Sequence, residues 1–273
     1  MASSSMRQNV TLQTLSALKA RGERFACITA YDATFAEIAS SVGIEVVLVG
    51  DSLGMVIQGH DSTLPVTMED ILYHLEAVKR GNVGSLIMAD MPFMSYYSEG
   101  LTLKNAAQLM RAGAHVVKLE GGRWIGESTR LLVERGIPVC AHMGLTPQSI
   151  NRFGGFRVQG RDPQQAQTIL DEAVYLEEEG ASLLLLEAIP RQLAERIAQR
   201  LHIPVIGIGA GNVVDGQIMV MHDLLGVTPS GIKVPKFVKN FLADSRDGIR
   251  GAFAAYLKAV KEGSFPGPEH SYI

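Results

Sequence analysis

The chain has 273 residues, 47% of them hydrophobic, and its 25 Lys and Arg against 28 Asp and Glu leave a formal charge of −3. That balance, with no basic block, gives no electrostatic footprint for nucleic acid. No uninterrupted apolar stretch approaches the roughly 18 residues needed to cross a membrane, and the length suits one large hydrophobic core.

The expected organisation is a single domain over residues 1–273, with an N-terminal extension over about 1–23 and C-terminal helices. Residues 1–8 lack the apolar centre of a secretory signal, so a cytoplasmic protein is expected. A first strand is read from Arg24 to Ala30 and a second in Val46-Val47-Leu48-Val49-Gly50-Asp51. Thr67-Met68-Glu69-Asp70 then opens a helix like a capping box; Ile71, Leu72, Leu75 and Val78 give it helical period and Gly81 closes it. Strands three to five are read at Leu86–Asp90, Val116–Glu120 and Pro138–His142. Asp162-Pro163 opens another helix, stopped by Gly180, and the sixth strand is Leu183-Leu184-Leu185-Leu186-Glu187. A helix follows through Leu193, Ala194, Ile197 and Leu201, then a seventh strand at Ile203–Ile208 and an eighth over Ile218–Asp223.

Short continuous apolar runs mark strands buried on both faces, and their alternation with helices marks a parallel sheet with crossovers. Eight such runs, six of them ending on ionisable residues, predict an α/β fold of the (β/α)8 TIM barrel type with its active site at the C-terminal strand ends. An open doubly wound sheet shares the alternation, so the barrel rests on strand number and on the spread of charges.

Side chains alternate along a strand, so Lys118 and Glu120 must point the same way, into the barrel mouth. A lysine there requires an anion, either Glu120 or a substrate carboxylate. Asp51 and Asp90 end neighbouring strands and could approach one hard cation; magnesium suits two carboxylates with water and substrate. An isolated aspartate in that position is more often a helix cap. Glu187 ends a wholly apolar strand, where desolvation would raise its pKa and ready it as a general base; pairing with a nearby Lys or Arg is the alternative. His142 ends a strand beside this cluster. His222 is expected to pack or bind backbone, and His60, His74, His115, His202 and His270 to be surface or structural residues. Cys27 and Cys140 lie inside strands as small buried hydrophobes. Gly207-Ile208-Gly209-Ala210-Gly211 allows either a phosphate cradle or a tight turn. Residues 143–161 form a long connection, expected to act as a lid, a binding surface or an oligomer contact.

Several ordered segments carry a family resemblance. They are Val49-Gly50-Asp51-Ser52-Leu53-Gly54-Met55, Gly59 to Thr67, Ala89-Asp90-Met91-Pro92-Phe93, Val117-Lys118-Leu119-Glu120-Gly121-Gly122, His142 to Ser149, Gly207 to Gly211, and the tail from Phe265-Pro266 to Tyr272. In these the chain resembles the 3-methyl-2-oxobutanoate (ketopantoate) hydroxymethyltransferases, from about Tyr31 to the C-terminus. The resemblance implies a barrel that uses Mg2+, one per subunit, and 5,10-methylenetetrahydrofolate as co-substrate to hydroxymethylate a 2-keto acid on the way to pantothenate and coenzyme A. It implies Asp51 and Asp90 as direct metal ligands, Glu120 acting through water, Ser52, Lys118 and His142 on the keto acid along with Asp51 and Asp90, and Glu187 as the base. It also implies a homo-oligomer, often a decamer. Gly43-Ile44-Glu45 and Met143 depart mildly from the family pattern, outside the site chemistry. No motif marks the folate contacts.

Two other readings compete. One is a magnesium-dependent carbon–carbon lyase or mutase of the phosphoenolpyruvate mutase and isocitrate lyase type, disfavoured because Gly121 to Ser128 lacks the loop cysteine common in the cleaving members. The other is a non-catalytic barrel that binds a small acid.

Overall fold

The structure, a computed structural model, describes residues 9–228 and 234–273. Eight parallel strands close on themselves in sequence order: β1 Phe25–Thr29, β2 Val46–Val49, β3 Leu86–Asp90, β4 Val116–Glu120, β5 Val139–Gly144, β6 Leu183–Glu187, β7 Val205–Ile208 and β8 Gly216–Met219. The ring is sealed where β1 pairs with β8, with Cys27 opposite Ile218. The predicted barrel is therefore present.

Strand parity separates two apolar layers. Alternate residues such as Phe25, Val46, Leu86, Met88, Val116, Cys140, Leu183, Leu185 and Ile206 point inward and fill the barrel. Their neighbours Val47, Ile87, Val117, Ala141, Leu184 and Val205 point outward to the helices. Asp90, Lys118, Glu120, His142 and Glu187 continue the inward parity, so the period of two that builds the core also aims these five side chains into the mouth. Cys27 and Cys140 are buried free thiols of that core, and burial pushes Cys140 up to about 12.

The helices follow local chemistry. Thr67 caps Met68–Gly81 in a reciprocal box with Asp70, and Asp162 caps Pro163–Glu178 through the amides of Gln164 and Gln165. The segment expected to be an extension contains a helix, Leu12–Ala20, whose Leu15 and Leu18 join the interior cluster. It closes the barrel at the end opposite the site. At the C-terminus, Gly248–Glu262 covers the β1–β8 seam. There the one proton of the Tyr256 hydroxyl is shared between Cys27 O at 2.9 Å and Gln217 O at 2.8 Å. Lys261 pairs with Glu45, which also accepts the Ala26 amide, so Glu45 is a clamp on this seam.

The eighth strand lies earlier than expected. It spans Gly216–Met219, and His222 and Asp223 sit in a short helix, Met221–Leu225, not at a strand end. The apolar run misled because strand end and helix start are both buried, with Val220 extended between them and the Met221 amide held by Thr29 Oγ1. Among the described residues no helix is long and apolar enough to cross a membrane.

Candidate active site

Six of the anticipated side chains converge at the C-terminal mouth. Asp90 and Lys118 are opposed in the β3–β4 register, as are Glu120 and His142 in β4–β5. Lys118 Nζ lies 2.5 Å from Asp90 Oδ1 and 3.7 Å from Glu120 Oε1, with lysine and carboxylates all buried. Asp51 stands in the turn two residues past β2, and its amide donates to Asp90 Oδ2 at 2.9 Å. The capping alternative for this aspartate is not realised, since the short helix Leu53–Val56 begins at Ser52 without a side-chain cap. Ser52 reaches inward and shares a 2.8 Å hydrogen bond with the buried Tyr31 hydroxyl.

His142 bridges two acids: Nδ1 is 3.1 Å from Glu120 Oε1 and Nε2 is 3.3 Å from Glu187 Oε2. Burial and Lys118 lower its pKa, but Glu120 and Glu187 prevail and raise it to about 9, so at neutral pH the ring is protonated, with Nδ1–H donating to Glu120 and Nε2–H near Glu187 but without a hydrogen-bond partner among the described residues. The 3.3 Å approach of Lys118 Nζ to His142 Nδ1 is then a contact of like charges held together by the acids around it. Glu187, expected to pair with a lysine or arginine if not free, has a histidine partner instead. Its side chain is 16% exposed at the mouth, against 3–4% for Asp90, Lys118, Glu120 and His142. It is thus the most exposed of these five side chains.

The remaining groups shift in keeping with their surroundings. Burial opposes the Lys118 ammonium, yet Asp90, Glu120 and Asp51 together raise its pKa. Burial raises Glu120, but His142, Lys118 and the Gln148 amide reverse this and hold it low. Burial, then Asp90 and then Glu120 drive Asp51 well above the ordinary carboxylate range; burial also raises Asp90 despite Lys118. The mouth therefore carries more acid than its two cations balance. An all-oxygen donor set with surplus negative charge is the chemistry of a hard divalent cation. Among the described residues no three His, Cys, Asp or Glu side chains are gathered at ligand distance. A hard cation held by two carboxylates and water requires no such trio.

The family model described as ketopantoate hydroxymethyltransferase matches residues 9–268. The chain belongs to the ketopantoate hydroxymethyltransferase family. It is 59% identical over 263 residues to the 3-methyl-2-oxobutanoate hydroxymethyltransferase 2 of Pseudomonas entomophila strain L48, covering 96% of this chain and 98% of that one. It is 58% identical over 264 residues to the 3-methyl-2-oxobutanoate hydroxymethyltransferase of Stutzerimonas stutzeri strain A1501, covering 97% and 98%. Among solved structures it resembles a phosphonopyruvate hydrolase complexed with oxalate and Mg++, at a TM-score of 0.61 and 15% identity over 80% of this chain and 83% of that one. At that identity the likeness is one of fold. As a member of the ketopantoate hydroxymethyltransferase family, the chain is an enzyme, a transferase.

Sequence reasoning did not find Gln148, which binds the Asp51 carboxylate, Tyr96, which binds Gln148 and the Glu120 main chain, or Tyr31, which binds Ser52. A glutamine in a loop and tyrosines near strand ends carry no spacing signal. The position of Gln148 directly after Pro147 in the connection following the fifth strand was the available hint. That connection folds as a turn at Pro147–Ser149 and a short helix at Ile150–Phe153. The glycine cluster is a tight turn: Gly209 and Gly211 have φ of 61° and 80°, and a Cβ on Gly209 would lie 2.8 Å from the Phe237 ring. His222 packs beside the Tyr31 ring at 5.7 Å, with Nδ1 buried and unpartnered. His74, His115 and His270 make local backbone contacts, His202 pairs with Glu177, and His60 is exposed.

Proposed function

We propose that the chain converts 3-methyl-2-oxobutanoate, 5,10-methylenetetrahydrofolate and water to ketopantoate and tetrahydrofolate, in pantothenate biosynthesis. The observation that carries this reading is the convergence of Asp51, Asp90, Lys118, Glu120, His142 and Glu187 on one mouth in a chain of this family.

Asp51 and Asp90 would hold Mg2+ directly, with Glu120 reaching it through water. Bound there, the cation supplies Lewis-acid stabilisation of negative charge on the keto acid's oxygens. Lys118 Nζ and His142 Nε2, the latter without a hydrogen-bond partner among the described residues, present N–H groups to the substrate carboxylate and fix its orientation, and Ser52, its hydroxyl held by Tyr31, adds a further donor. Glu187, at the more exposed rim with its carboxylate 3.3 Å from His142 Nε2, takes the proton from C3. The carbon so released attacks the one-carbon unit of the folate, and water supplies the new hydroxyl as tetrahydrofolate leaves. His142, protonated at neutral pH, compensates charge beside Glu187 until the base is loaded.

The test is deuterium uptake at C3 of 3-methyl-2-oxobutanoate in D2O, followed by NMR, first with and without Mg2+ and then with 5,10-methylenetetrahydrofolate added. Metal-dependent exchange that turns into ketopantoate formation is expected, and Glu187→Gln should slow exchange by about 10²–10⁴-fold while keto-acid binding persists. Exchange that is absent with every divalent metal, or is unchanged in Glu187→Gln, would overturn the assignment.

A further inference from the structure

Gln148 makes four hydrogen bonds at the floor of the mouth. Its Nε2 donates to Asp51 Oδ2 at 2.8 Å and to Met91 O at 3.0 Å, its Oε1 accepts from the Tyr96 hydroxyl at 2.6 Å, and its main-chain amide donates to Glu120 Oε2 at 3.0 Å. The residue is buried. The amide has one allowed orientation: turned over, its oxygen would face the Asp51 carboxylate and the Met91 carbonyl, two acceptors, while its NH2 met the Tyr96 hydroxyl. Tyr96 supports that orientation: its hydroxyl donates to Oε1 at 2.6 Å, a closer acceptor than the Glu120 carbonyl at 3.2 Å, while its oxygen accepts the Glu120 amide at 3.3 Å.

We propose that Gln148 is a positioning residue that assigns the oxygens of two site carboxylates, resting on the reading above in which Asp51 and Glu120 serve a divalent cation. With Gln148 holding Oδ2, Asp51 keeps Oδ1 without a hydrogen bond among the described residues, available to a ligand. With the Gln148 amide holding Oε2, Glu120 turns Oε1 toward His142 and Lys118. One residue on the β5 loop thereby orients acids delivered by β2 and β4, two strands that are not neighbours. A buried carboxylate left free to rotate would lose that preorganisation, and outer partners of metal ligands commonly govern affinity by 10–100-fold.

The structure also provides a check on folding. Trp124, the single tryptophan, stacks on Tyr96 at 5.6 Å and 13°, so its emission reports whether this corner is intact. The experiment is Mn2+ titration of the full chain, followed by electron paramagnetic resonance, for the parent, Gln148→Met, Gln148→Glu and Tyr96→Phe. Keto-acid KM and kcat are measured at low and saturating Mn2+. Gln148→Met should weaken Mn2+ by roughly 10–100-fold and raise KM at low metal, with kcat recovering at saturation. Gln148→Glu, which turns an acceptor on Asp51, should weaken it at least as much. Tyr96→Phe, which releases the Gln148 side-chain amide and the contacts to the Glu120 main chain but leaves the Gln148 bond to Asp51 in place, should act in the same direction by a smaller factor. Parent-like Mn2+ affinity in both Gln148→Met and Tyr96→Phe would overturn the inference, even if melting or Trp124 emission changed. A parent chain that does not bind Mn2+ at all would overturn the cation reading together with it.

Discussion

Lys118→Met would strip the ammonium from a buried group of acids, and its cost can be worked from the geometry. At an effective dielectric of about 20, contacts of 2.5 Å to Asp90 and 3.7 Å to Glu120 correspond to about 7 and about 4.5 kcal/mol of attraction. Much of this offsets the desolvation of the lysine itself, which the variant no longer suffers, and broken buried pairs cost about 3–5 kcal/mol. Protonation sets a ceiling. Glu120 keeps His142 and the Gln148 amide, so one proton on Asp90 relieves most of the strain. From an ordinary aspartate pKa that proton costs at most about 4 kcal/mol at pH 7 and about 1.5 kcal/mol at pH 5. Urea unfolding of metal-free protein should therefore show Lys118→Met about 3–4 kcal/mol less stable at pH 7, with the gap closing to about 1–2 kcal/mol at pH 5. A loss below about 1 kcal/mol at pH 7, or one that does not shrink on acidification, would refute the reasoning.

Two further perturbations test other parts of the mouth. Because the folded pKa of His142 is raised to about 9 above an ordinary value near 6.5, its stabilisation is complete below about pH 6.5 and is lost as pH rises through 9. Metal-free protein should lose at most about 3 kcal/mol across that window and His142→Gln much less; parallel stability profiles of the two would exclude a charged His142. Gly144 ends β5 at φ 89°, and an added Cβ would run into the Glu187 carbonyl and lie 2.8 Å from Ile189 Cγ2. Gly144→Ala should cost about 2–4 kcal/mol in thermal or urea unfolding and displace Glu187, so a variant as stable and active as the parent would show that the close approach does not matter.

The strands were legible because burial on both faces leaves unbroken apolar runs, and the inward parity of Lys118 and Glu120 followed from the strand period alone. The eighth strand slipped because Gly216-Gln217 opens it without an apolar residue, the glycine lying close under the Phe25 ring. The Leu12–Ala20 helix was read as an extension because its two buried leucines gain meaning only once a barrel floor exists to receive them. Charged strand ends announced most of the site. Gln148, Tyr96 and Tyr31 stayed silent, because a neutral hydrogen-bonding residue is informative only through its partners, and those lie 21 to 97 residues away in the chain.

Closure in sequence order divides the chemistry between the halves of the polypeptide. The portion through β4 carries Asp51, Asp90, Lys118 and Glu120, whereas the portion from β5 onward carries His142, Gln148 and Glu187. A nascent chain that has folded only its first half thus holds acids without the imidazole, amide and base that complete them. Closure of two seams, β4 to β5 and β8 to β1, is therefore what brings the two sets of side chains to one mouth.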